Sequence, residues 1–149
     1  MHTFKDNAGR TWTVAINVDA IKRVRDLAKV DLVESIEGKL LERLASDIIL
    51  RCDVIYALIK PDADAQNVSD ADFGRALFGD ALDLATDALM EELVDFFPKR
   101  RRSVLGKALS KLTELESKAL TLAEKKLDSV NVDAALESAL ANAGNSSGS

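Results

Sequence analysis

Histidine and cysteine are scarce in this sequence of 149 residues, and their scarcity excludes several classes of active site. Cys52 is the single cysteine, so the sequence offers neither an internal disulfide nor a zinc site of clustered cysteines. We interpret it as a small buried apolar side chain. His2 is the single histidine, and a position beside the terminus makes it a poor candidate for a catalytic base or metal ligand. We therefore expect no catalytic residue, metal ion or cofactor.

Glycine-rich motifs and long apolar runs are also missing. Gly74 and Gly79 do not form a phosphate loop, and no glycine-rich segment ends in Lys-Ser or Lys-Thr. Charged residues interrupt every apolar stretch before it reaches the roughly 20 residues that a membrane-spanning helix needs. The first residues contain no basic segment followed by an apolar core, so we expect no secretion signal. These absences predict a cytoplasmic protein that is not an enzyme.

Charge of opposite sign divides the chain at Pro98. Residues 1–98 contain 11 Lys and Arg against 19 Asp and Glu, whereas residues 99–127 contain 9 against 3. Acidic pairs in the first part, such as Glu91 and Glu92, are interpreted as a solvated helix face. Opposite charges favour folding back of the chain, stacking of copies or binding of another partner, and all three indicate assembly rather than catalysis. We expect a homo-oligomer.

The N-terminal residues predict a β-hairpin. Trp12, Val14 and Ile16 alternate with small or polar residues, and residues 3–5 can pair with them across the turn-forming residues 6–10. Two strands alone are only marginally stable in water. The apolar face of the hairpin should therefore pack on helices or on a neighbouring subunit.

From Asn17 onward, apolar residues recur three or four apart, which predicts a mainly α fold of five to six helices. Capping residues place helix starts at Asn17, at Ser46 or Asp47, at Ser69 and at Asp80. Pro61 is expected to stop the most apolar helix and to begin a polar loop. The expected helices cover residues 17–28, 32–44, 47–60, 69–78, 80–97 and 100–127.

Three regions are expected from charge and pattern. Residues 1–98 form a hairpin plus acidic helical domain, residues 99–129 a basic C-terminal helix, and residues 130–149 a polar, flexible tail. The basic helix carries apolar residues at near-heptad spacing between Leu105 and Leu127. This spacing suits packing on its own domain or pairing with another helix.

Six aromatic residues and the run of cations after Pro98 are predicted to contact partners. Aromatic side chains supply apolar contact area, and exposed cations pair with acidic surfaces. For Phe96 and Phe97, and for the hairpin aromatics Phe4 and Trp12, a core position is the favoured interpretation and partner contact the alternative. Phosphate of a nucleic acid is a less favoured partner for the cations. The predicted residues are Phe4, Trp12, Phe73, Phe78, Phe96, Phe97, Lys99, Arg100, Arg101 and Arg102.

Five short segments follow one another in a recognisable order and spacing. They are Phe4 with Asp6-Asn7-Ala8-Gly9-Arg10-Thr11-Trp12, then Val24-Arg25-Asp26-Leu27 with Val30-Asp31-Leu32, then Asp53-Val54-Ile55-Tyr56-Ala57-Leu58, then Val68-Ser69-Asp70-Ala71-Asp72-Phe73, and finally Asp95-Phe96-Phe97-Pro98. In this order the segments resemble small prophage proteins grouped with the tail assembly chaperones of long-tailed bacteriophages. The resemblance covers residues 1 to about 105 and depends on order and spacing, without an invariant catalytic signature. The chain beyond Leu127 has no counterpart in it.

This resemblance implies a mostly helical, non-enzymatic protein of the bacterial host cytoplasm. Such a protein binds the long tape-measure protein, keeps its hydrophobic helices soluble, helps to recruit tail-tube subunits and is absent from the finished virion. Two other classes stay open: a permanent structural tail or head-to-tail joining protein, and a small DNA-binding regulator that uses Lys99 to Arg102.

Overall fold

An N-terminal β-hairpin is followed by six α-helices and a 3-10 segment in the residues that the structure describes, which confirms the predicted mainly α class. The structure is a computed structural model that describes the backbone of residues 1–37 and 39–147 and the side chains of residues 1–34 and 39–129. None of the described helices is both long and apolar enough to cross a membrane. The elements are β1 (His2–Lys5), β2 (Thr11–Val14), α1 (Val18–Ala28), the 3-10 segment (Leu32–Glu37), α2 (Lys39–Ser46), α3 (Ile48–Ala65), α4 (Asp70–Arg75), α5 (Asp80–Phe96) and α6 (Lys99–Ser147).

The chain divides into two compact units, Met1–Leu109 and Ser110–Ser149. The first unit contains the hairpin, the helices α1 to α5 and the beginning of α6. The second contains the continuation of α6. The prediction of a polar, flexible tail falls on residues 130–149, whose side chains lie outside the described part of the chain. Residues 148 and 149 lie outside it altogether.

The hairpin is antiparallel, and Phe4 of β1 lies opposite Trp12 of β2. A hydrogen bond of 2.9 Å from the N–H of Asp6 to the carbonyl of Arg10 closes the turn. Gly9 in this turn has a φ of 84°, a left-handed conformation that glycine adopts without steric cost. The apolar face of the hairpin packs against α5 and α3.

Phe73 of α4 lies at the centre of an aromatic cluster. Its ring centroid is 6.3 Å from Phe4, 5.8 Å from Trp12 and 5.7 Å from Tyr56. The hydroxyl of Tyr56 donates to the carbonyl of Val68 at 3.0 Å, which fixes the segment leading into α4. The cluster therefore joins the hairpin, α3 and α4 in one core.

A buried carboxylate supports the same core from the hairpin turn. Asp6 accepts hydrogen bonds from Nε1 of Trp12 at 2.9 Å, from Nε of Arg10 at 3.0 Å, and from the backbone N–H groups of Ala8 and Arg10. Burial alone would raise the pKa of Asp6, but these bonds and the Arg10 charge hold its pKa below the ordinary value. The ionised form is thus the one that the fold stabilises.

The predicted N-terminal caps of α1, α3 and α4 are confirmed, whereas the predicted cap of α5 by Asp80 is wrong, because Gly79 is the N-cap and no side chain caps this helix. The side chains of Asn17, Asp47 and Ser69 each accept a bond from the backbone N–H three residues later. Ser69 also forms a reciprocal capping box with Asp72, as the sequence indicated. The predicted second helix is wrong in one respect, because residues 32–37 form a 3-10 segment and only Lys39–Ser46 is α-helical.

Pro61 does not stop α3, contrary to the prediction of a loop over residues 62–68. The helix continues to Ala65 with Pro61 inside it. Proline lacks the N–H that would bond to the carbonyl of Ala57 four residues earlier. Nη1 of Arg23 on α1 donates to that carbonyl, and to the carbonyl of Leu58, at 3.0 Å each. A neighbouring helix thus supplies the missing donor.

Candidate interaction surfaces

The four cations after Pro98 form the first turn of α6, and all four are exposed. We call Lys99, Arg100, Arg101 and Arg102 the basic turn. Cations at a helix N-terminus oppose the helix dipole, at a cost of about 0.3–1 kcal/mol each. In the described part of the chain, no salt bridge joins Lys99, Arg100 or Arg101 to a carboxylate. Their charge is thus exposed and available to a partner.

An acidic counterpart lies on α5 in the same unit. Asp83, Asp87, Glu91 and Asp95 are all exposed and are spaced four residues apart, so they form one ridge of the helix. We call them the acidic stripe. Like charges at this spacing disfavour the helix by about 0.2–0.5 kcal/mol per pair. A cationic surface brought against the stripe would relieve this repulsion.

The second unit exposes an apolar helix face. Leu112, Leu115, Ala119 and Leu122 are spaced three and four residues apart, and we call them the apolar face of α6. Leu115 is 53% exposed and Leu122 is 66% exposed, and the neighbouring Leu120 and Leu127 are exposed to a similar degree. The opposite side of this helix carries the polar residues Ser110, Ser117 and Thr121, and an ion pair of 3.2 Å between Glu114 and Lys118 flanks the apolar face. The segment is therefore amphipathic, with its apolar side open.

Phe78 is the predicted aromatic that the structure places at the surface, 61% exposed. It borders an open groove of about 370 Å³ whose other lining residues include Arg10 and Arg75. Asn7 holds this rim in place, because its side chain donates to the carbonyls of Ala76 and Phe78 at 3.0 and 2.9 Å. Phe96 is half-buried against Phe97, with ring centroids 5.2 Å apart.

Four of the candidate contact residues lie in the core, which was the favoured interpretation for Phe4, Trp12 and Phe97. Phe4, Trp12, Phe73 and Phe97 are at most 4% exposed, and the first three form the aromatic cluster. A partner could reach them only if the core opened. The candidate surface therefore consists of Phe78, Phe96 and the basic turn.

Glu92 is a buried carboxylate, so its interpretation as part of a solvated helix face was wrong. Its Oε1 lies 2.7 Å from Nδ1 of His2 and 2.7 Å from the amino group of Met1, and its Oε2 accepts from the N–H of Ile16 at 3.4 Å. Burial alone would raise the pKa of Glu92, but the bonds with the amino group and with His2 hold its pKa below the ordinary value.

His2 is consequently tied to α5 rather than frayed. Its Nε2 lies 3.0 Å from Oε2 of Glu91 and 3.9 Å from Oδ2 of Asp95. Helix periodicity could have identified this contact, since Glu92 lies three residues after the buried Leu89 and so continues the inner face of α5. His2, Glu92 and Asp95 are the residues in the described part of the chain that could hold a metal ion, because their ligand atoms lie within 4.8 Å of one another.

No protein-family model, curated protein or solved structure matches the chain. The resemblance seen in the sequence therefore stays a prediction. The surfaces that can carry a function are the basic turn, the acidic stripe and the apolar face of α6.

Proposed function

We propose that this protein is a non-enzymatic tail assembly chaperone of a long-tailed bacteriophage that acts in the cytoplasm of the bacterial host. In this role it binds the tape-measure protein, which is a long helical client, and helps to recruit tail-tube subunits. Two things support the proposal: the resemblance of the sequence, and the exposed apolar face of α6.

The apolar face of α6 carries the structural part of the proposal. Leucine side chains that are more than half exposed leave apolar area in water, and burying such a side chain fully gains about 1.5–3 kcal/mol. Residues at intervals of three and four fit a facing helix in the manner of a coiled coil. A client composed of long amphipathic helices offers the matching surface.

The polar side of the same helix suits a chaperone. When the apolar side covers a client helix, the side that carries Ser110 and Ser117 stays in water, and the ion pair of Glu114 and Lys118 lies at its edge. The client is then surrounded by charge instead of by its own apolar residues. Exchangeable contact of this kind prevents the client from aggregating before assembly.

Repetition along a long client favours several copies of the chaperone. The basic turn of one copy and the acidic stripe of the next have opposite charge, and both belong to the same compact unit. Contact between two different surfaces of identical chains can continue from copy to copy as a ring or a filament. We propose this contact as the origin of the homo-oligomer.

Co-expression of this chain with the tape-measure product of its own gene locus tests the proposal. We expect the client to remain soluble and to be retained with the chaperone on affinity purification, and to precipitate when it is expressed alone. A client that is soluble alone and is not retained would contradict the proposal.

The rival classes give different results in two further assays. Mass spectrometry of purified particles would detect a permanent tail or joining protein, whereas a chaperone is absent from them. The exposed basic turn is the observation that favours a DNA-binding regulator. A mobility-shift assay with DNA of the same locus would reveal that activity, and we expect no specific shift.

A further inference from the structure

Three lysines run along one border of the apolar face of α6. Lys111, Lys118 and Lys125 are spaced seven residues apart, which is close to two helical turns, so they lie on one line along the helix. Lys111 lies one turn before Leu115, and Lys118 lies one turn before Leu122. All three lysines are exposed, and we call them the lysine edge. The lysine edge and the apolar face belong to the same compact unit.

The charge of the lysine edge is open to a partner. Among the described side chains, Lys111 and Lys125 form no salt bridge. Lys118 pairs with Glu114 at 3.2 Å, but the two side chains are 68% and 65% exposed. Exposed pairs of this kind contribute little free energy, so a competing carboxylate can replace Glu114.

The other border of the apolar face has a different character. Glu116 lies one turn after Leu112, and Ala123 lies one turn after Ala119. Leu127 continues this border and is 61% exposed. One border therefore carries three cations, whereas the other carries a single acid and apolar side chains. A helix that packs on the apolar face meets a strongly cationic border on one side only.

A second copy of α6 matches this pattern poorly. In an antiparallel pair of identical helices the same borders meet, so lysine would face lysine. In a parallel pair the lysine edge of one copy meets the other border of its partner, where Glu116 offers an acid to one lysine of the three. Like charges facing each other across an interface disfavour that pairing. The fitting partner has acids along the border that faces the lysine edge.

We propose that the apolar face of α6 and the lysine edge together select a client helix whose own apolar face is bordered by Asp or Glu. The apolar residues of the two helices pack on each other, and the acids of the client lie opposite Lys111, Lys118 and Lys125. Charges beside a helix contact determine which partner is chosen and in which direction it lies. This inference rests on the proposed function, in which the apolar face of α6 binds the client, and adds the chemistry of the preferred helix.

Two designed peptides test the preference without the natural client. Both repeat leucine at the apolar positions of a heptad, and the bordering positions are all Glu in the acidic peptide and all Lys in the basic peptide. Like charges prevent each peptide from pairing with itself. Fluorescence anisotropy measures the binding of each peptide to the full-length chain. We expect the acidic peptide to bind about tenfold more tightly, since each of three exposed ion pairs changes the affinity about twofold.

Two variants with the same change of net charge locate the preference. Changing all three residues of the lysine edge to Gln should abolish the preference for the acidic peptide. Changing Lys99, Arg100 and Arg101 to Gln removes three exposed cations from the basic turn and should leave the preference intact. Circular dichroism of each variant establishes that the fold is kept. The preference of the natural chain should also decrease between 0.1 M and 1 M salt, because the Debye length falls from about 10 to about 3 Å.

Two results would overturn the inference. The first is equal binding of the acidic and basic peptides by the natural chain; if vesicles of phosphatidylserine are then bound through the lysine edge, the face belongs to a membrane surface. The second is a preference that falls equally in both variants, since this would show general attraction of acids to cations. Either result is compatible with retention of the tape-measure protein, which would leave the proposed function standing. A preference that depends on the lysine edge, without retention of that protein, would support the inference and contradict the proposed client.

Discussion

Arg23 donates to the carbonyl that Pro61 leaves without a helical donor. Its Nη1 lies 3.0 Å from the oxygen of Ala57, four residues before Pro61, and 3.0 Å from the oxygen of Leu58. Nη2 of the same guanidinium bonds to Asp19 at 3.2 Å, which fixes the side chain on α1. An interior proline, which normally costs a helix about 3 kcal/mol, is thereby accommodated in α3.

Because Arg23 compensates for Pro61, substitutions of these two residues should change the free energy of unfolding in a non-additive way. Arg23→Ala should destabilise the protein by about 1–3 kcal/mol, because a carbonyl at a buried residue loses its donor. In a Pro61→Ala background, the new N–H of residue 61 can bond to Ala57, so Arg23→Ala should cost less. A double-mutant cycle by urea unfolding measures the difference. Equal costs in both backgrounds would show that the two residues are independent.

Local signals in the sequence predicted three of the helix caps correctly and the tertiary contacts poorly. Capping depends on residues three positions apart, so Asn17 and Ser69 were identified from the sequence alone. The donor from Arg23 to α3 comes from a residue more than 30 positions away, and no local pattern reports it. Pro61 therefore predicted a helix end that the tertiary structure overrides.

The sequence located the charged part of the candidate surface but not its aromatic part. Composition and charge located the basic turn, because exposure of four consecutive cations follows from the cost of burying them. Aromatic residues carry no such signal, since the same side chain serves a core and an interface equally well. Phe73 and Phe78 are five residues apart, and only the fold shows that the first is buried and the second exposed.

These two phenylalanines provide a matched test of the core. Phe73→Ala removes the centre of the aromatic cluster and should destabilise the protein by about 3–5 kcal/mol. Phe78→Ala, the same change at an exposed position, should alter stability by no more than about 0.5 kcal/mol. Chemical denaturation followed by circular dichroism compares them. Similar losses in both variants would mean that the position of α4 in the core is incorrect.

The lowered pKa of Asp6 predicts that the stability of the protein depends on pH. Its pKa is lower in the fold than the ordinary 3.8, so the unfolded chain binds the proton more readily. The stabilisation is fully present above pH 3.8 and is lost as the pH falls through the pKa of the folded state. Unfolding free energies of the natural chain and of Asp6→Asn should therefore differ most near pH 7 and converge below pH 3.8. A gap that stays constant with pH would disprove this role for the carboxylate.

Self-association through charge should respond to salt and to charge reversal. Changing the whole basic turn to Glu should abolish it, as should Asp83→Lys combined with Asp87→Lys in the acidic stripe. A mixture of the two variants should associate again, since each lacks the surface that the other retains. Light scattering at 0.1 M and 1 M salt, between which the Debye length falls from about 10 to about 3 Å, measures the effect. Association that survives both salt and charge reversal would assign it to apolar contacts instead.

The most direct test of the chaperone proposal compares the two sides of α6 in client binding. Leu115→Glu with Leu122→Glu places two charges on the apolar face, and Ser110→Glu with Ser117→Glu places the same two charges, at the same spacing, on the polar side. Each pair is tested for retention of the co-expressed full-length tape-measure protein. We predict at least a tenfold loss of retained client for the leucine pair and retention at the natural level for the serine pair. Equal retention by both pairs would contradict binding through the apolar face of α6.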